Sequence, residues 1–465
     1  MDAEERVIVL INDEYGTSKG GISTINCYAG QTLGLTGKAV VYATVLQLDV
    51  PEEDQKAADR DNVKLIKPYR KKGDLREPSL DWLTFDYNSR YPKSKKPQHE
   101  YLNSLNPESE LPPHIDVIIG HADITDTAAR NIHNDYYKDE ADLIMFTHVI
   151  PEDTEYYKGG RKAMNAGKKE NDMLMKVDNA KATFSVGERI YNHFSTKYKG
   201  DRKFKQNHHI FLPKPSKIFL DAHVSPGGEE MVVLSIGRVR KVEKLKGHDL
   251  VGQSMRDVVK KIKNVRLCVR GISEDDWETS ERILKHALNS PDLVPTLLPY
   301  GTQEEIRSDM MRAHLVLMPS RSEPFGLVGL EAIAAGIPVL ISDKTGLADM
   351  INKLVDGKKL PQGLRNRIVE TSVQDSDMTK NASRWALKIR ETLNDPETAF
   401  SQAKKFKDEL RKSKYWEDSE RRFLQACGIT VTASHLNEGN NATLTYSLSS
   451  CDLRLEDVGH HGIQQ

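Results

Sequence analysis

Short runs that are apolar at nearly every position punctuate this chain. They fall at residues 7–11, 39–46, 116–120, 143–147, 180–186 and 209–212, and again at 231–236, 265–269, 294–298, 314–318 and 337–341. Each is too short for a helix, which is the pattern of a buried strand. Residues 22–35, 187–197, 325–335, 378–393 and 397–412 read as helices. Strands that alternate with helices predict an α/β chain built on parallel sheets. The stretch 216–230, with S-P-G-G-E-E, reads as a linker between two such series. Residues 49–110 are charged and Pro-rich, with one weak strand near Val63, a basic run at 93–96 and surface insertions.

The most informative stretch is 314–351. A strand closed by Pro319 leads through Ser320 to Glu323 into Pro324, which suits the first turn of a helix. The helix, FGLVGLEAIAA, stops at Gly336 and is apolar on every face except at Glu331. Such a helix is buried on all sides, so the carboxylate needs a partner or costs several kcal/mol, roughly. That partner is either a core Arg or Lys, or a ligand. Glu323 stands at the mouth of the same helix, in the strand-to-helix loop where open α/β sheets bind ligands.

The run E-P-F-G-L-V-G-L-E, Glu323 to Glu331, resembles the E-x-x-x-x-x-x-x-E signature of retaining GT-B-fold glycosyltransferases, in particular glycosyltransferase family 4. The surrounding P-S-R-S-E-P-F-G and E-A-I-A-A-G-I-P-V-L extend the match. The resemblance implies a GT-B fold, two Rossmann-like doubly wound parallel-sheet domains facing a central cleft. Its expected parts are an acceptor-side domain over 1–220, a nucleotide-sugar-binding domain over 228–413, a helix crossing back over 414–427, and a disordered or partner-binding tail over 428–465. It also implies that Glu331 binds the ribose hydroxyls and that Glu323 sits by the donor sugar, with Gly326 and Leu327 close to the donor.

In the first half, the loop after the first strand holds Gly16, Gly20 and Gly21 ahead of a helix. Glycines there allow backbone to approach a ligand closely at a helix N-terminus, although a plain turn would look the same. The resemblance makes this the glycine-rich loop near donor phosphate and acceptor. His148 ends a strand and is similar to the family histidine near the transferred sugar. His121, in G-H-A-D, resembles a second family position, with a capping role for Asp123 as the plainer alternative.

In the second half, Arg238 follows the strand 231–236, and the family pattern places a lysine about five residues later, then glycine. This chain reads R-V-R-K-V-E-K-L-K-G, a loop about three residues longer, so Lys246 is the expected lysine with Lys244 and Arg240 as rivals. Arg can chelate two phosphate oxygens while Lys supplies a compact charge, the chemistry a diphosphate leaving group needs without a metal. Residues 342–347, with Gly346, fall on the same rim; Thr345-Gly346 stands where the family often has paired glycines. The triplets Asp59-Arg60-Asp61 and Asp375-Ser376-Asp377 read as surface charge, and no His/Cys metal cluster stands out.

Composition narrows the classes. The 465 residues suffice for two domains, and the net charge of −1 gives no field for nucleic acid. Four separated cysteines and a short first apolar run fit a cytoplasmic protein without signal peptide or membrane span. Basic stretches at 158–169 and 197–205 read as solvated surface, since they lack the apolar face that peripheral membrane contact needs. The function that the family resemblance implies is metal-independent transfer of a sugar from a UDP-, GDP- or ADP-linked donor to a sugar, lipid or small-molecule hydroxyl, with retention and no further cofactor. The alternative is a catalytically inactive nucleotide-sugar-binding or interaction module on the same fold.

Overall fold

The computed structural model describes residues 5–18, 20–47, 49–67, 111–158, 160–197, 207–224, 227–237, 244–275 and 277–430. The expectations for Arg238 and Arg240, for most of the 49–110 insertion, for all but Lys197 of the 197–205 basic stretch and for the tail beyond residue 430 lie outside these.

In chain order the first half runs β1 (Arg6–Leu10), α1 (Gly21–Gly34), β2 (Ala39–Thr44), α2 (Glu52–Arg60), β3 (Val63–Ile66), β4 (Val117–Ala122), α3 (Asp126–Ile132), β5 (Asp142–Thr147), α4 (Pro151–Glu155), α5 (Gly160–Met164), α6 (Ala166–Lys176), β6 (Ala182–Val186), α7 (Glu188–Lys197), β7 (His208–Phe211) and α8 (Lys217–Leu220). The second continues β8 (Met231–Ile236), α9 (His248–Val259), β9 (Val265–Ile272), α10 (Trp277–Leu288), β10 (Thr296–Pro299), α11 (Gln303–Met310), β11 (Leu315–Met318), α12 (Leu327–Ala335), β12 (Val339–Ser342), α13 (Gly346–Asp356), β13 (Ile368–Val369), α14 (Met378–Leu393), α15 (Pro396–Ser413) and α16 (Glu417–Ala426).

The strands form two sheets, with orders β3-β2-β1-β4-β5-β6-β7 and β10-β9-β8-β11-β12-β13, and every paired strand is parallel. This is the doubly wound α/β arrangement of a GT-B fold. The order reverses between β1 and β4 in one sheet and between β8 and β11 in the other. At such a point the loops leave in opposite directions and open a crevice beyond the carboxyl ends of the strands.

Helix α12 is buried from Gly329 to Ala335 and packs on β11, β12, α8, α11, α13 and α15. Full burial of Leu330 and Ile333 contributes about 1.5–3 kcal/mol each, which fixes the helix against the sheet. It is two residues shorter than the pattern predicted. Gly326, at φ 111°, is its N-cap, so Pro324 stands before the helix and not in its first turn. The linker also differs from expectation, because α8 lies inside it and buries Phe219 completely. At the other end of the chain, α16 seats Phe423 among Phe146, Phe184 and Phe211, with ring centroids 5.5, 5.5 and 5.6 Å away. A C-terminal helix is thereby packed into the first sheet's core.

Candidate active site

The loop after β11 carries Glu323 to the crevice of the second sheet. Its backbone is tied to the loop after β12: Glu323 N–H donates to the Lys344 carbonyl at 3.0 Å, and Gly346 N–H donates to the Glu323 carbonyl at 3.0 Å. Gly346 is needed at that contact, because a Cβ there would overlap the Pro324 carbonyl oxygen. Thr345 caps α13 by accepting from Ala348 N–H at 3.1 Å, a local reason for a threonine in this loop.

From the loop after β8, Lys246 pairs its ammonium with the Glu323 carboxylate, which also accepts from Ser320 Oγ at 3.3 Å. Lys244 instead points to exposed Asp375, at 2.6 Å. What holds Lys246 there is Arg321, 3% exposed, whose guanidinium forks onto Asp249 at 2.8 and 2.9 Å and donates to the Lys244 carbonyl at 2.7 Å. A buried bidentate pair of this kind is geometrically specific, so it registers one loop against the other.

One turn into α12, Glu331 is 7% exposed, and among the described residues it meets no cation. Its one hydrogen bond comes from the Gln303 side-chain amide, at 3.2 Å. Burial pushes its carboxyl up to about 8, with the Gln303 bond opposing the shift. The unliganded group is therefore mostly neutral at pH 7. Gln303 opens α11 behind Thr302, which forms a capping box with Glu305, and its backbone N–H donates to Thr17 Oγ1 at 3.2 Å. Thr17 belongs to the glycine loop of the first half.

That loop faces α12. A Cβ on Gly21 would lie 3.4 Å from Leu327 Cδ1, Gly20 is the N-cap of α1, and Gly16 abuts the Asp54 carboxylate of α2. Closer to the sheet, His121 is the last residue but one of β4, and His148 follows Thr147 at the end of β5. His121 Nδ1 lies 2.9 Å from His148 Nε2, and His121 Nε2 lies 2.9 Å from Asn26 Oδ1. Burial holds both imidazoles below their ordinary range, His148 at about 3, so both are neutral at pH 7.

The halves also meet where Gly187 backs onto the Phe325 ring and Arg189 of α7 forks onto Asp349 of α13 at 2.7 and 3.1 Å. Thus Glu323, Lys246, Gly326 and Gly346 gather on one rim, and Gly21 meets Leu327 across the gap. Glu331 lies one turn deeper, and His121 and His148 share a cluster at the carboxyl ends of β4 and β5, in the middle of the first sheet.

Over residues 9–423 the sequence matches the family described as family 4 glycosyltransferases in conflict systems. The chain belongs to that family. It is 35% identical over 130 residues to a D-inositol 3-phosphate glycosyltransferase of Segniliparus rotundus, a match covering 28% of each chain. It is also 30% identical over 145 residues to a glycogen synthase of Mycobacterium tuberculosis, covering 31% of this chain and 30% of the relative. The matched stretches thus span under half the length of these curated relatives. Sucrose-phosphate synthase from Thermosynechococcus elongatus shares the fold at TM-score 0.60 and 18% identity, over 90% of this chain and 98% of that one. So does Anabaena HepE in complex with UDP and glucose, at TM-score 0.59 and 13% identity, over 91% and 100%.

For a family 4 chain, several local expectations need correcting. Asp123 caps nothing: Thr125 is the N-cap of α3, and Asp123 pairs with Lys169 at 2.5 Å. Asp61 is not surface charge but buried, accepting from Tyr15 Oη at 3.1 Å and Gln31 at 3.0 Å. Helix α2 went unforeseen in the charged 49–110 stretch. Glu152, Glu170 and His193 approach one another as a metal site's ligands would, but the Lys197 ammonium already meets both carboxylates, at 3.6 and 2.9 Å. Arg321, Gln303, Thr17 and Asn26 were not picked out from sequence. The S-R-S run beside Glu323 was a signal for Arg321, and Thr17 lies within the glycine loop already singled out.

Among the described residues no helix is long and apolar enough to cross a membrane.

Proposed function

We propose that the protein transfers a sugar from a nucleotide-sugar donor to an acceptor hydroxyl with retention at the anomeric carbon, and needs no metal to do so. The observation that carries this reading is Glu331: a carboxyl buried beside a cleft, with an amide but no cation for company among the described residues. Ribose hydroxyls would take the place of Gln303 and donate to the ionised carboxylate.

Donor binding would draw Lys246 from Glu323 toward the diphosphate, aided by the N-terminus of α12 behind Gly326 and Leu327. Glu323 would then accept from donor-sugar hydroxyls and favour the positive charge that develops as the bond from the anomeric carbon to phosphate oxygen breaks. The acceptor oxygen bonds to that carbon on the same face, and its proton passes to the departing phosphate. Eight residues along a loop and helix put Glu323 and Glu331 roughly 10 Å apart at helical rise, too far for a nucleophile and acid/base dyad, whose carboxyls stand about 5 Å apart. His148, from the first half, would serve as a neutral hydroxyl partner.

UDP-linked donors are the first to test, since HepE was solved with UDP and glucose; GDP- and ADP-linked sugars complete the panel. Purified protein should melt higher with one nucleoside diphosphate, release that diphosphate from its sugar conjugate equally well with EDTA present, and give product of the donor's anomeric configuration by NMR. No shift with any nucleotide would refute the donor site. A shift without release or transfer would favour the inactive binding module.

A further inference from the structure

We propose that Asn26 and His121 are positioning residues that lock His148 as the tautomer with an unprotonated Nδ1, so that this nitrogen receives a hydrogen bond from a substrate hydroxyl in the cleft. The substrate half of this rests on the transferase reading; the tautomer does not.

The argument is a donor and acceptor chain that closes in only one direction. Asn26 Nδ2 donates to the Glu14 carbonyl at 3.4 Å, an oxygen that also accepts from Asn12 Nδ2 at 2.9 Å, and this turns Asn26 Oδ1 toward His121. A carbonyl oxygen only accepts, so the proton of His121 sits on Nε2. A neutral ring carries one such proton, so His121 Nδ1 is bare and must accept from His148 Nε2–H, at 2.9 Å. His148 Nδ1 is then left without a proton. Among the described residues it has no partner, and it is not among the buried unpaired atoms, so it reaches the open side.

Packing prevents the rings from escaping this arrangement. His121 is fully buried, with its ring centroid 5.3 Å from Phe146 and 5.1 Å from His148, and its backbone N–H donates to Thr125 Oγ1 at 2.9 Å. His148 keeps 8% of its surface exposed. Burial keeps both rings neutral, as the chain requires. A hydroxyl that donates to Nδ1 has its oxygen lone pairs directed away from the ring. The opposite tautomer would donate to that oxygen and compete for them.

The test is long-range proton–nitrogen NMR of the full chain with nitrogen-15-labelled histidine at neutral pH, which reads each ring nitrogen as protonated or bare. His148 should appear with Nε2 protonated and Nδ1 bare. In His121→Leu and Asn26→Leu that preference should be lost, whereas His121→Asn, whose Oδ1 can replace the accepting Nδ1, should keep it. Wild-type His148 protonated on Nδ1 would overturn the proposal even if every variant failed to fold, as would an unchanged His148 spectrum in a folded Asn26→Leu. UDP-glucose hydrolysis separates the hydroxyl's source. A fall of about tenfold in Asn26→Leu, with UDP affinity kept, assigns it to the donor sugar, and unchanged hydrolysis assigns it to the acceptor. Should UDP-glucose not bind at all, the transferase reading fails while the tautomer result stands by itself.

Discussion

On the proposed contact between Glu331 and ribose, the raised pKa of the carboxyl makes nucleotide binding depend on pH in a calculable way. Burial lifts the carboxyl to about 8, whereas ribose hydroxyls donate best to the ionised form. At pH 7 binding must first strip the proton, a cost of about 1.4 kcal/mol for one unit of difference, and at pH 9 almost none remains. UDP affinity should therefore rise about tenfold from pH 7 to 9, with close to one proton released per UDP at pH 7. Isothermal titration in two buffers of different ionisation enthalpy counts that proton. Glu331→Gln supplies the baseline for protons on UDP itself.

The same shift acts on stability with its own sign. The folded pKa is raised, so the protonated group's contribution is intact below the unfolded value near 4.5 and drains away as pH rises through about 8. Between pH 5 and 8 the unliganded wild type should lose on the order of 3 kcal/mol relative to Glu331→Gln. Equal pH dependence in the two proteins, for binding and for stability alike, would mean that Glu331 is not the group that meets the ribose.

Three further outcomes follow from contacts at the rim. Glu323→Gln should leave UDP binding within about twofold yet cut turnover, since the amide keeps the shape but not the charge opposite the developing cation; comparing UDP titration with UDP-glucose turnover checks the split. Gln303→Leu removes the bond that holds the Glu331 pKa down, so the midpoint of the UDP affinity curve should move to higher pH, and an unmoved midpoint would break the link between the two residues. Gly346→Ala forces a Cβ into the Pro324 carbonyl and should cost about 1–3 kcal/mol by chemical denaturation, with UDP-glucose turnover lowered through the displaced Glu323 loop.

Local sequence was enough to reveal strands buried on both faces, because residues such as Leu315 to Met318 and Val339 to Ile341 are apolar throughout and need helices above and below. It was also enough to single out Glu331, since one acid in an otherwise oily helix is costly wherever that helix packs. Helix α2 was hidden because its nine residues are mostly charged and only Ala58 is buried, leaving no apolar stripe to detect. Other decisions belong to the tertiary structure alone. The protonation of Glu331 depends on which atoms surround it, and Gln303 lies 28 positions away in the chain. Which lysine faces Glu323 was decided by the Arg321 fork onto Asp249, 72 positions distant. The tautomer of His148 is set through His121 by Asn26 on α1. Each of these is a pairing between groups brought together by different strands, and desolvation and hydrogen bonding act over a few ångströms of space, which spacing along a chain does not encode.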